Sequence, residues 1–91
     1  MIYKFTRSTA FHRAFNKLSH QRQEQATKIF KDIFQKNPFD PILGVHKINR
    51  LSDKCRKTIY TAQLDGNFRM LFAMDDQRIT CLDIGTHQIY K

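Results

Sequence analysis

The stretch Ile84-Gly85-Thr86-His87-Gln88-Ile89-Tyr90 places a histidine and a tyrosine at the exit of an apolar strand, Ile79, Cys81, Leu82 and Ile84. A histidine moves protons near neutral pH, and a tyrosine stacks on a base or donates a proton. A second candidate proton carrier, His46, leads a basic run of Lys47, Arg50, Lys54, Arg56 and Lys57, with Asp53 the only acid inside it. Such a run could track a phosphate backbone, or it could guard an exposed strand against aggregation. Arg69 falls in mid-strand, between Phe68 and Met70. An arginine there must find a carboxylate, solvent or a ligand phosphate, because burying it unpaired is costly. Asp83 and Asp65 are the carboxylates that could take it. His12 and His20 fall in or beside helices, where surface placement is the ordinary expectation.

Other reactive constellations are missing from the sequence. There is no HExxH, no ligand-spaced Cys/His set and no carboxylate cluster suited to Mg²⁺, so no metal or other cofactor is expected. No GxGxxG or P-loop occurs, and no Ser or Cys sits in a recognisable nucleophile motif. An enzyme here would work with His, Lys, Arg and Tyr alone. Cleavage of RNA by its own 2′-hydroxyl needs that set: a base for the 2′-OH proton, cations for the charge on the phosphorane, and an acid for the departing 5′-oxygen. DNA lacks the internal nucleophile.

The bulk composition fits such a partner. Sixteen Lys and Arg face eight acidic residues over 91 positions, a net charge of +8. That balance favours nucleic acid, an acidic protein or an anionic surface. No 18-residue apolar run exists, so no membrane partner is expected. Met1 to Arg7 has no apolar signal core, and Cys55 and Cys81 lack CxxC spacing. The reading is a cytoplasmic protein with reduced thiols.

The elements that must position these residues form one domain over 1–91, helical first and β-rich second, hence α+β. Residues 2–5 alternate and could form a short strand. Ser8 or Thr9 caps a first helix whose apolar face is Phe11, Ala14, Phe15 and Leu18. Ser19 restarts the pattern for a second helix, with Ala26, Ile29, Phe30, Ile33 and Phe34 inward and Arg22, Lys28, Lys31 and Lys36 outward. Asn37-Pro38 ends it. A stiff turn through Pro41 to Gly44 leads to a short basic strand, Val45 to Leu51. Strands follow at 56–64, 67–74 and 78–84, with Asp65-Gly66 expected to form a type I′ hairpin and Asp75-Asp76-Gln77 a second turn. Alternation puts Phe68, Met70, Phe72 and Met74 on one face, and Arg69, Leu71 and Ala73 on the other. The expected whole is a meander of about four antiparallel strands under two helices.

This layout resembles the RelE/ParE superfamily of toxins from type II toxin–antitoxin systems, over nearly the whole length. The resemblance rests on the helical hairpin with its Phe-rich patterns, Asn37-Pro38, His46-Lys47, Asp65-Gly66-Asn67-Phe68-Arg69 and the Gly85-Thr86-His87-Gln88-Ile89-Tyr90 ending. It implies a RelE-like fold and an mRNA interferase that cleaves message in the ribosomal A site. By position, it implies that Arg69 stabilises the phosphorane, His87 transfers a proton and Tyr90 stacks on or orients the nucleotide. His46 and Lys47 match the basic position used for proton transfer or charge stabilisation. Arg50, Lys54, Arg56 and Lys57 would hold ribosomal RNA or message, and a small antitoxin would cover the site. Leu51-Ser52 departs from the family's leucine-glycine, and no acid stands where some members place a catalytic glutamate. The alternatives are the gyrase-inhibiting ParE branch, which shares the fold and cleaves nothing, and a non-catalytic basic RNA-binding module.

Overall fold

The computed structural model describes residues 3–49 and 57–86. Strand β1 (Lys4–Arg7) leads into helices α1 (Thr9–Asn16) and α2 (His20–Ile29). A π-helical turn (Phe30–Phe34), a 3₁₀ turn (Pro41–Leu43) and strands β2 (His46–Lys47), β3 (Thr58–Asp65), β4 (Phe68–Asp75) and β5 (Arg78–Thr86) follow.

Local chemistry sets the helix boundaries. Ser8 Oγ accepts from the Phe11 N–H at 3.0 Å and starts α1. Ser19 Oγ accepts from the Arg22 N–H at 3.2 Å and starts α2. Each satisfies a donor that the first helical turn leaves unpaired. The second helix does not stay α-helical to its end. The Gln35 N–H reaches back five residues to the Phe30 carbonyl at 2.8 Å, the bond of a π turn. This wide turn lies where aromatic rings crowd together: Phe30 and Phe34 are 5.1 Å apart, and Phe34 meets Phe5 at 5.5 Å and Phe72 at 5.1 Å. Past Pro38, the Asp40 carboxylate caps the 3₁₀ turn through the Ile42 N–H, and Gly44 closes it at φ 53. That left-handed conformation is one glycine adopts without strain.

The five-stranded sheet has the order β1-β5-β4-β3-β2. Strands β2 to β5 form the expected antiparallel meander. The N-terminal strand adds a fifth member, pairing parallel to β5 with Phe5 opposite Ile79 and Arg7 opposite Cys81. Its alternating pattern predicts a strand, but the choice of neighbour depends on the edge that β5 leaves open. Strand β2 is shorter than expected at His46–Lys47, continued by an Ile48 N–H bond to the Ile59 carbonyl at 2.9 Å. The β3–β4 hairpin turns on Gly66-Asn67, with Asp65 opposite Phe68. Only Gly66, at φ 53, has positive φ there, so the turn is not type I′.

Helices cover one face of the sheet. There Phe11, Ala26, Phe34 and Leu43 pack with Ala62, Phe68, Met70, Phe72, Ile79, Cys81 and Ile84. A bulge in β5 makes this possible. Leu71 pairs with Asp83 but Phe72 pairs with Cys81, so Leu82 is the extra residue. The bulge lets Cys81 and Ile84, three positions apart, face the same core. Burial pushes the Cys81 thiol from 9.0 up to about 12, with the Arg7 guanidinium acting in the opposite direction. It is a packing residue, not a nucleophile.

Candidate active site

Strand register arranges the face opposite α1 and α2 in rows. At one end Lys4, Arg78 and Asp75 stand side by side, and Lys57 joins them at the start of β3. The next row is Thr6, Thr80, Ala73 and Ile59. Then come Asp83, Leu71, Thr61 and His46, and finally Gly85, Arg69 and Gln63. The middle of this face is apolar, where Ile59, Leu71 and Ala73 are buried with Ile48 and Leu82 against them.

Arg69 lies in the last of these rows. Its β5 neighbour is Gly85, which contributes no side chain, and its β3 neighbour is Gln63. The residue is half-buried, and its Nε is fully buried with no hydrogen-bond partner. Neither carboxylate considered from the sequence neutralises it. Asp65 lies on the helical side, 3.5 Å from Arg22 Nη1 and accepting from Gln25 Nε2 at 3.0 Å. Asp83 turns back on its own chain, its Oδ1 accepting from the Ile84 N–H at 2.8 Å. In the adjacent row Thr61 Oγ1 is likewise buried without a partner. The two atoms lie in neighbouring rows of the same face.

His46 belongs to the Thr61 row and is exposed on the edge strand. Its Nδ1 lies 3.3 Å from the Gly44 carbonyl. With Nδ1 protonated it donates to that oxygen and leaves Nε2 to accept or deliver a proton. Strand spacings of ~4.8 Å and rises of ~3.3 Å put the Cα atoms of His46 and Arg69 roughly 12 Å apart. Both side chains can reach into that gap.

Lys47 pairs with Tyr60, whose ring packs on Phe39 and Phe72 in the helix-side core. One residue of register therefore separates it from His46 by a whole face. Lys57 is exposed at the far end of this face, six residues along β4 from Arg69, or ~20 Å at ~3.3 Å per residue. His87, Tyr90, Arg50, Lys54 and Arg56 lie outside the described residues. Sequence alone assigned no site role to Thr61 or Gln63, because nothing local marks a residue whose role comes from its cross-strand neighbour. Among the described residues no group of three His, Cys, Asp or Glu side chains is placed to hold a metal ion. No described helix is long and apolar enough to cross a membrane. A separate apolar cleft of about 270 Å³ opens on the helical side, walled by residues that include Phe11, Phe15, Phe30 and Phe34. Among the described residues it holds none of the candidate site residues.

No protein-family model matches the sequence, and no curated protein matches it. Solved structures match over almost the full length. The toxin–antitoxin complex RelBE2 from Mycobacterium tuberculosis contains a chain that superposes with a TM-score of 0.73 at 16% identity, covering 94% of this chain and 99% of that one. The archaeal RelE–RelB complex from Pyrococcus horikoshii gives 0.69 at 19% identity, covering 94% and 96%. The E. coli DinJ–YafQ toxin–antitoxin complex gives 0.70 at 13% identity, covering 98% and 97%. The chain has the RelE-like fold.

Within the RelE-like fold, Arg69 occupies the central strand of the sheet and β5 carries the chain toward His87 and Tyr90. Thr86, the last residue of β5, pairs with Phe68 beside Arg69. Thr86 thus lies at the Arg69 end of the sheet, away from Lys57.

Proposed function

We propose that this chain is the toxin of a type II toxin–antitoxin system and a ribosome-dependent mRNA endoribonuclease. The observation that carries this reading is Arg69, a guanidinium on the central strand whose Nε has no hydrogen-bond partner, one row from an exposed histidine on the same face of the sheet. A phosphate bound there satisfies the orphan donor and receives charge stabilisation where the phosphorane forms.

The 2′-oxygen of the substrate ribose attacks the adjacent phosphorus as a base removes its proton. The P–O5′ bond breaks, and an acid protonates the departing 5′-oxygen. The products are a 2′,3′-cyclic phosphate and a 5′-hydroxyl, and no metal takes part. His46 and His87 divide the two proton transfers, and Tyr90 stacks on the nucleotide. Lys47 adds positive potential from the other side of the strand edge. Arg50, Lys54, Arg56 and Lys57 hold the RNA backbone. The cognate antitoxin is an acidic protein that covers this face. Solved neighbours on the same fold are complexes of toxins with antitoxins, which supports that partner.

The test is translating ribosomes supplied with the protein. Cleaved message bearing a 2′,3′-cyclic phosphate is expected, and it is lost in Arg69→Gln and in His87→Ala while both variants stay folded. Growth arrest with gyrase-dependent DNA damage and intact message overturns the reading in favour of a gyrase inhibitor. Binding to RNA with no cleavage by the parent leaves a basic RNA-binding module.

A further inference from the structure

Gln63 lies between the two described groups to which the nuclease reading gives the chemistry. It pairs with Arg69 across β3 and β4 and belongs to the same face of the sheet. Opposite residues of antiparallel strands have Cα atoms roughly 5 Å apart, so the two side chains start side by side. On its other flank Gln63 meets Gly44: its Oε1 lies 3.8 Å from where a β-carbon at Gly44 would stand. The Gly44 carbonyl is in turn 3.3 Å from His46 Nδ1. The carboxamide therefore sits between the phosphate anchor and the proton carrier. Unlike Thr61 in the next row, Gln63 is exposed. Among the described residues its amide has no hydrogen-bond partner.

We propose that Gln63 reads the base of the nucleotide whose phosphate Arg69 holds, and that the base it selects is adenine. The inference rests on the nuclease reading and gives that site a specificity residue. A carboxamide does not titrate near neutral pH, so Gln63 neither takes the 2′-OH proton nor protonates the 5′-oxygen. Nor does it carry the positive charge that makes a strong phosphate contact. What it offers is a donor and an acceptor side by side. Adenine presents the complement, with its N6 amino group donating and N7 accepting, whereas guanine offers two acceptors, O6 and N7, along the same edge. A splayed single-stranded base exposes that edge to the protein. One ribose joins base to phosphate, so the base of a nucleotide held at Arg69 comes within reach of the neighbouring side chain on β3. Gly44, which has no side chain, leaves room for it beside the amide.

The experiment follows single-turnover cleavage on translating ribosomes of messages that differ only in the base at the cleavage site. The parent is expected to cut at adenine about tenfold faster than at guanine, the discrimination of one bidentate amide pair. In Gln63→Met, which keeps the length of the side chain and removes the amide, that ratio falls close to one. Messages carrying 7-deazaadenine, in which carbon replaces N7, isolate the contact. They slow the parent several-fold and cost Gln63→Met nothing relative to adenine. A residue that merely supported Arg69 would slow cleavage at both bases alike and leave the 7-deaza effect in place. Gln63→Ala, scored in the same way, decides the matter should the methionine variant fail to fold. A parent preference for another base, or an adenine preference and a 7-deaza effect that survive in the variant, overturns the inference while the nuclease reading stands. If the parent cuts none of the messages, the nuclease reading fails and takes this inference with it.

Discussion

The two faces of one sheet have opposite fates. On the covered face Phe68, Met70 and Phe72 interlock with Phe11, Ala26 and Phe34 from the helices. On the opposite face the same strand carries Arg69 and Leu71 beside Thr61 and His46, with two buried polar atoms left unsatisfied. The opposite face has a smaller buried apolar cluster of Ile59, Leu71 and Ala73, and beside it the two buried polar atoms without a partner. Removing a side chain from the helix-covered core should therefore damage the fold, and removing Arg69 the activity.

Phe72→Ala is the largest expected break. Phe72 is fully buried and its ring lies 5.4 Å from Tyr60 and 5.1 Å from Phe34. A loss of about 3–5 kcal/mol in urea unfolding is expected, enough to unfold a domain this small under mild conditions. Arg69→Gln should reverse that pattern. The cleavage rate falls by roughly 10²–10³, the usual effect of losing one charge-stabilising donor, while the thermal midpoint stays level or rises. A midpoint that drops by many degrees would make Arg69 a structural residue and end the contrast.

Cys81 tests the covered face through pH. Its folded thiol is raised to about 12 from 9.0, so thiolate forms first in the unfolded chain. The stability it contributes is complete below pH 9 and is lost as pH rises from there toward 12. Above pH 9 the slope should be steeper than in Cys81→Ala by about 1.4 kcal/mol per pH unit. Parallel slopes would mean that solvent reaches the thiol. The smallest expected effect sharpens the opposite face. Thr61→Val keeps the shape and removes an unpaired hydroxyl, so a gain of about 1 kcal/mol is expected. A loss of stability would show that the hydroxyl does have a partner.

Local signals were legible in the sequence. Ser8 and Ser19 stand where helices need a side-chain acceptor, Asn37-Pro38 stops the second helix, and alternation in β4 assigned Phe68, Met70 and Phe72 to one face and Arg69 to the other. The bulge at Leu82 also left a trace, since apolar residues at 79, 81 and 84 break a strict period of two. The π turn left none, because the apolar spacing through Phe34 suits an α-helix equally well.

What the sequence by itself determined is therefore the set of elements, the inward side of most of them, and the residue types available for phosphate chemistry. These follow from interactions spanning a few residues. Only the tertiary structure decided that β1 lies parallel to β5, that His46 shares a face with Arg69 while Lys47 does not, and that Asp65 and Asp83 are engaged elsewhere. It also brought Lys4 and Arg78 together from opposite ends of the chain. The reason is that strand pairing joins residues distant in sequence through backbone hydrogen bonds, which are nearly blind to side-chain identity, and a shift of one residue exchanges the faces.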